Sequence, residues 1–184
     1  MGNETILRRD DTVLLMIDMQ EKLLPVMQHS ESVLSKVSTL LKAANILSIP
    51  IFYTEQYPKG LGSTAASLLT DLTNAKRFEK MTFSCCGSDT FLDALGEIGR
   101  DQVLICGIES HVCVSQTALD LLDEGAQVHV AVDACSSRSA DCYQNALSRM
   151  SREGVILTNA ESAVFEMLHV AGTDEFKQIS RLIK

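Results

Sequence analysis

Several features that would settle a function at once are missing from this chain. It has no Gly-x-Gly-x-x-Gly and no Gly-x-x-x-x-Gly-Lys-Ser/Thr, so nothing in it builds a dinucleotide or phosphate cradle. Its six cysteines, at 85, 86, 106, 113, 135 and 142, include no Cys-x-x-Cys pair. Its four histidines, at 29, 111, 129 and 169, include no His-x-His or His-x-x-x-His pairing. Neither a structural zinc motif nor a dedicated metal site has support. No apolar run approaches the ~20 residues of a membrane span. The segment Met1 to Asp11 carries charges where a secretory signal needs an apolar core. Gly2 stands where a myristoyl acceptor would, but Ile6 occupies the place where that motif wants Ser or Thr. Positive charge is short too. With 16 Lys+Arg against 24 Asp+Glu the net charge is −8, and no basic cluster offsets it, which disfavours nucleic-acid backbones and anionic membranes as partners. The expectation is a cytoplasmic protein with reduced thiols, no cofactor and no metal.

What is present describes one domain, residues 1–184. A chain of this length removes roughly 70% of its unfolded surface from water without a disulfide or metal staple. Hydrophobic residues make up 46% and charged residues 22%, ordinary for a folded domain. Thr12 to Ile17 is a short continuous apolar run, as expected of a strand covered on both faces of a parallel sheet. From Ser32 to Leu47 apolar residues recur at 33, 34, 37, 40, 41, 44 and 47, the spacing of a helix with one buried face. Further strands are expected over Pro50–Thr54, Gln102–Gly107, Gln127–Val132 and Val155–Thr158. A less regular segment, Phe78 to Ser84, is a short strand or loop. Helices are expected over Asp89–Ile98, Val112–Asp123 and Ala140–Glu153, then near 160–169 and 173–182. Alternating strands and helices predict right-handed βαβ units and an α/β fold: a three-layer αβα, Rossmann-like architecture with a mainly parallel sheet of about six strands.

In such sheets the functional crevice lies outside the carboxyl ends of the strands. Asp18, the Pro- and Gly-containing stretch from Thr54 to Ser63, the turn Gly107 to Cys113, and Asp133 to Arg138 should share that rim. Cys113 is the most informative residue among them. It follows an apolar run and a polar break and opens an amphipathic run, which places it near a helix entrance where the helix dipole favours the reactive thiolate. On position alone, it is equally well a small packed residue. Cys106, inside its apolar run, reads as core.

Three separate motifs in order, Met16-Ile-Asp18-Met-Gln20, Glu79-Lys80-Met-Thr-Phe-Ser84 and Cys106-Gly-Ile-Glu-Ser-His-Val-Cys113-Val, resemble the isochorismatase-like cysteine hydrolases over nearly the whole chain. Thr54-Glu-Gln-Tyr-Pro-Lys-Gly-Leu-Gly62 and Val132-Asp-Ala-Cys-Ser-Ser-Arg138 look like the subgroup of isochorismatase domain-containing proteins. The resemblance implies a catalytic triad of Asp18, Lys80 and Cys113, all intact here. It also implies an oxyanion hole of the Glu109 and Cys113 amides beside a cis Ile108–Glu109 peptide, and a homo-oligomer, dimer or larger. Gln20, Tyr57 and Phe83 are candidate substrate-binding residues because their motifs surround the triad. Chemically the set is coherent: a carboxylate can take and return a proton, an ammonium can steady negative charge, and a thiolate can attack carbon.

Two departures narrow the expected substrate. The family's nicotinamidases bind a metal through an acidic residue and histidines after the second strand, whereas Phe52 to Ser63 holds neither His nor Asp. True isochorismatases cleave a vinyl ether without a nucleophilic cysteine, so an intact Cys113 points to acyl chemistry, C–N hydrolysis of a small amide first. The alternatives are a catalytically idle or a thiol-redox interaction protein that keeps the fold. His111, two residues before Cys113, is not expected to form a dyad with it, since side chains two apart seldom face one another.

Overall fold

Residues 5–183 are described by a computed structural model. Met1–Glu4, and with them the Gly2 acylation reading and part of the charged amino-terminal segment, lie outside the described residues. The six strands are β1 (Thr12–Ile17), β2 (Ile51–Gln56), β3 (Lys76–Lys80), β4 (Gln102–Ile108), β5 (Gln127–Ser136) and β6 (Ile156–Thr158). They form one all-parallel sheet in the order β3-β2-β1-β4-β5-β6. The order reverses between β1 and β4, so the carboxyl ends of those two strands form the switch point at which open α/β sheets generally place their sites.

The helices are α1 (Ser30–Ile46), α2 (Pro58–Leu61), α3 (Asp89–Ile98), α4 (Ser115–Asp123), α5 (Ala140–Arg152), α6 (Ala160–Leu168) and α7 (Asp174–Ile183). Strand alternation divides the core into two layers. Leu14, Met16, Leu104, Cys106 and Ala131 meet α1 and α6 on one face. Val13, Leu15, Ile17, Val103, Ile105 and Val130 meet α3, α4 and α5 on the other. Both faces of the central strands are covered, which is why β1 and β4 read as unbroken apolar runs. On the second face Phe52, Phe78 and Phe91 pack edge to face, with centroids 5.2, 5.4 and 6.3 Å apart.

Several boundaries differ from the sequence expectation, each for a local reason. β2 continues through Gln56, beyond the expected end at Thr54, because Glu55 and Gln56 pair with Glu79 and Lys80 of β3. β3 spans Lys76–Lys80 rather than 78–84; it is an edge strand whose exposed Lys76, Arg77 and Glu79 hide the apolar signal. β5 runs on to Ser136, with a register irregularity opposite Ile105 and Gly107. The helix expected from Val112 instead begins as a π-helical turn, Ser110–Val114, and becomes α-helical at Ser115. No helix among the described residues is long and apolar enough to cross a membrane.

Candidate active site

Three strand ends deliver the site. Asp18 directly follows β1 with φ 51°, a left-handed conformation that a non-glycine residue adopts at a cost, and strain of this kind concentrates at functional positions. Lys80 is the last residue of β3. Cys113 lies within the π-helical turn that follows β4, a turn type found often at functional sites. The sheet order alone would leave β3 two strands away from β1; the long Lys80 side chain crosses the end of β2 to close that gap.

Lys80 Nζ donates to Asp18 Oδ2 at 2.7 Å, and the two side chains are 1% and 0% exposed. The other carboxylate oxygen, Oδ1, accepts from the Thr54 hydroxyl at 2.7 Å. Burial works most strongly against the Lys80 ammonium, but Asp18 together with the Cys113 and Cys85 sulfurs outweighs it and the lysine pKa is raised. Cys113 faces the same pair. Burial and the Asp18 carboxylate push its thiol up, and the opposing pull of Lys80 is too small to reverse the shift. That direction is opposite to the one the helix entrance alone leads one to expect. Burial and a neighbouring carboxylate dominate over the helix end.

The turn that carries Cys113 is fastened to the end of β5 at three successive residues. The Arg138 guanidinium grips Glu109 with two bonds of 2.7 Å. Ser110 Oγ donates to the Ser136 carbonyl at 2.9 Å, and His111 Nδ1 lies 3.0 Å from Ser137 Oγ. His111 is thus engaged away from Cys113. The Ile108–Glu109 peptide is cis.

Of the other candidates, Tyr57 and Phe83 are exposed on the rim, at 47% and 54%, with Met81 between them at 70%. Tyr57 and Phe83 meet Lys80 through their main chains: the Tyr57 amide donates to the Lys80 carbonyl at 3.0 Å, and the Phe83 carbonyl accepts from Lys80 Nζ at 3.0 Å. Gln20 is placed differently. It is fully buried, its Nε2 donating to the Gln56 and Gly62 carbonyls and its Oε1 accepting from the Gln56 amide. It therefore ties β1 to β2 beyond the sheet ladder. Thr54 and Gln56 lie in the expected rim stretch and in a subgroup motif, but nothing in the sequence marks either as a partner of Asp18 or Lys80. Arg138, at the end of the rim stretch Asp133 to Arg138, joins the site through its grip on Glu109. A separate groove of about 560 Å³, bounded by Leu7, Arg9, Glu166 and Met167, lies by the residues that lead into β1, at the end of the sheet away from the triad residues.

A parallel αβα sandwich with a carboxylate, an ammonium and a thiol at its switch point defines the class. The isochorismatase domain model matches residues 12–162. The chain belongs to the isochorismatase family. It is 40% identical over 176 residues to isochorismatase domain-containing protein 2 of Rattus norvegicus, covering 95% of this chain and 82% of the relative. Among solved structures, one described as MAR1 ribonuclease from Caenorhabditis elegans superposes with a TM-score of 0.92 at 38% identity, covering 97% of this chain and 92% of the other. The YcaC product of Escherichia coli, described as an octameric hydrolase of unknown specificity, superposes with a TM-score of 0.92 at 21% identity, covering 99% and 92%.

Proposed function

We propose that the protein is a cysteine hydrolase acting on a small, uncharged amide or related acyl compound. The observation that carries this reading is the convergence of Asp18, Lys80 and Cys113 at the β1/β4 switch point, with the Asp18–Lys80 contact at 2.7 Å. Asp18 takes the Cys113 proton as the sulfur attacks the carbonyl carbon. The π bond becomes an oxyanion lone pair, held by the main-chain amides of Glu109 and Cys113. When the tetrahedral adduct collapses, the C–N bond breaks and Asp18 returns the proton to the leaving nitrogen. Water, deprotonated by Asp18, then attacks the thioester and releases the acid and the thiol. Lys80 stays protonated throughout, holding Asp18 in place and tempering the negative charge. No step calls for a metal or cofactor.

The apolar rim of Tyr57, Met81 and Phe83 favours an uncharged substrate, and its exposure in the single chain also favours a homo-oligomer. Six unpaired cysteines suit a reducing compartment such as the cytoplasm. Nucleic-acid cleavage is not carried over from the nematode structure, because a net charge of −8 repels phosphate backbones.

The test is a panel of small amides and activated esters offered to wild type, Cys113→Ser and Cys113→Ala, with product release and covalent mass followed together. Hydrolysis with an acyl adduct on Cys113, lost in both variants, is expected. Hydrolysis that survives in Cys113→Ala overturns the reading.

A further inference from the structure

The Lys80 ammonium has three N–H groups, and three acceptors meet it at short range: Asp18 Oδ2 at 2.7 Å, Gln56 Oε1 at 2.8 Å and the Phe83 carbonyl at 3.0 Å. The Thr82 carbonyl stands further off at 3.4 Å. The Cys113 sulfur also lies within hydrogen-bond reach of the ammonium, so the acceptors outnumber the three N–H groups and compete for them. A thiolate facing Lys80 can be stabilised by a hydrogen bond only if one acceptor yields its N–H.

The acceptors are not equally able to yield. Asp18 carries the opposite charge, and the Phe83 oxygen is main chain. Gln56 is a neutral side-chain amide on rotatable bonds. Its orientation is fixed by chemistry: Nε2 donates to the Met81 carbonyl at 2.9 Å, so Oε1 must face the ammonium. Its main chain is clamped by Gln20 through both N–H and C=O, which leaves the side chain as the part that can move.

We propose that Gln56 is a positioning residue that acts through Lys80, as its exchangeable acceptor: the amide holds the ammonium while Cys113 is a thiol and releases one N–H to the sulfur as the proton leaves. This rests on the hydrolase reading for its biological use, but not for its test. The remaining charged and titratable groups around Cys113 do not supply the exchange. Glu109 is paired with Arg138. His111 is bonded to Ser137. Cys85 faces Lys80 as a fully buried thiol whose pKa burial pushes up to about 12.

The exchange makes two isosteric substitutions act in opposite directions. Gln56→Glu puts a carboxylate on the ammonium, locks that donor and repels the thiolate, so Cys113 ionises at higher pH. Gln56→Met removes the acceptor and leaves one N–H free for the sulfur, so Cys113 ionises at lower pH. The measurement is the rate of carbamidomethylation of Cys113 by iodoacetamide against pH, with fragment spectra separating Cys113 from Cys106 and Cys135. Thermal melts confirm folding, and Gln56→Leu stands in if the Met variant does not fold. The expected result is a rise of about one pH unit in the midpoint for Gln56→Glu and a fall of at least half a unit for Gln56→Met. A purely structural Gln56 would leave both midpoints in place or move them the same way, and either result overturns the proposal. Because alkylation reads the thiolate without any turnover, failure here is separate from failure of the amide panel.

Discussion

Lys80 and Asp18 form an ion pair 2.7 Å apart in which neither side chain meets solvent. Such a pair gives the folded state little net stability against an apolar pair of the same shape, because removing two charges from water costs about what their attraction returns. Removing one partner is a different matter. Asp18→Asn or Lys80→Met leaves a buried charge alone, and each is expected to lower unfolding free energy by about 3–5 kcal/mol in denaturant titrations. The double variant should recover most of that loss while its activity stays absent, which separates the role of the pair in chemistry from its role in folding. Additive losses in the double variant would mean that the two groups are not coupled.

Gly107 explains how β1 and β4 come close enough to share a site. It has φ 119°, and a Cβ there would overlap the Ile17 carbonyl oxygen and lie 2.7 Å from the Ile17 nitrogen. Ile17 directly precedes Asp18, so Gly107→Ala pushes the Asp18 carboxylate away from the turn that carries Cys113. A loss of about 3 kcal/mol or more is expected, with activity abolished. Gly96 is the control. It lies in α3, exposed, with open space where a methyl group would point, and Gly96→Ala should gain roughly 0.5–1 kcal/mol.

The central strands were legible because burial on both faces writes an uninterrupted apolar run, as in Thr12–Ile17 and Gln102–Ile108. β3 was poorly legible because an edge strand keeps Lys76, Arg77 and Glu79 in solvent. The triad candidates were marked by residue type and motif, but the roles of their supports were not. Gln20 and Gln56 are both amides in polar stretches, and only the approach of β1, β2 and β3 decides that one braces main chain and the other meets an ammonium. The ionisation of Cys113 escapes the sequence for the same reason. A helix entrance is visible there, whereas a carboxylate brought from residue 18 is not.

Arg138 separates positioning from stability. Its side chain is 63% exposed while its partner Glu109 is 7% exposed, so solvent screens the pair from one side. Arg138→Gln should therefore cost under about 1 kcal/mol of stability. Catalysis should suffer more, because the two-pronged grip on Glu109 holds the turn that ends at Cys113. A roughly tenfold fall in kcat with KM little changed is expected. Arg138→Lys should not restore it, since an ammonium cannot make the paired contact. Full activity in Arg138→Gln would place the grip outside the catalytic machinery.

His129, on β5, is expected to set an acid limit on stability. It is fully buried, its Nδ1 has no hydrogen-bond partner among the described residues, and burial lowers its pKa to about 4. In the unfolded chain an imidazole titrates near 6.5. Between these two values the unfolded state binds a proton that the folded state refuses, so unfolding free energy falls as pH drops from about 6.5 to about 4. Above that window the histidine is neutral in both states and contributes no pH dependence; below it the loss is complete. The full span corresponds to about 3 kcal/mol. Urea titrations of wild type and His129→Leu at pH 7.0 and pH 4.5 isolate this share from the carboxylates, which titrate alike in both proteins. The variant should lose about 2–3 kcal/mol less than wild type between the two pH values. Equal losses would mean that the imidazole takes up its proton inside the fold, and that Nδ1 finds a partner when it does.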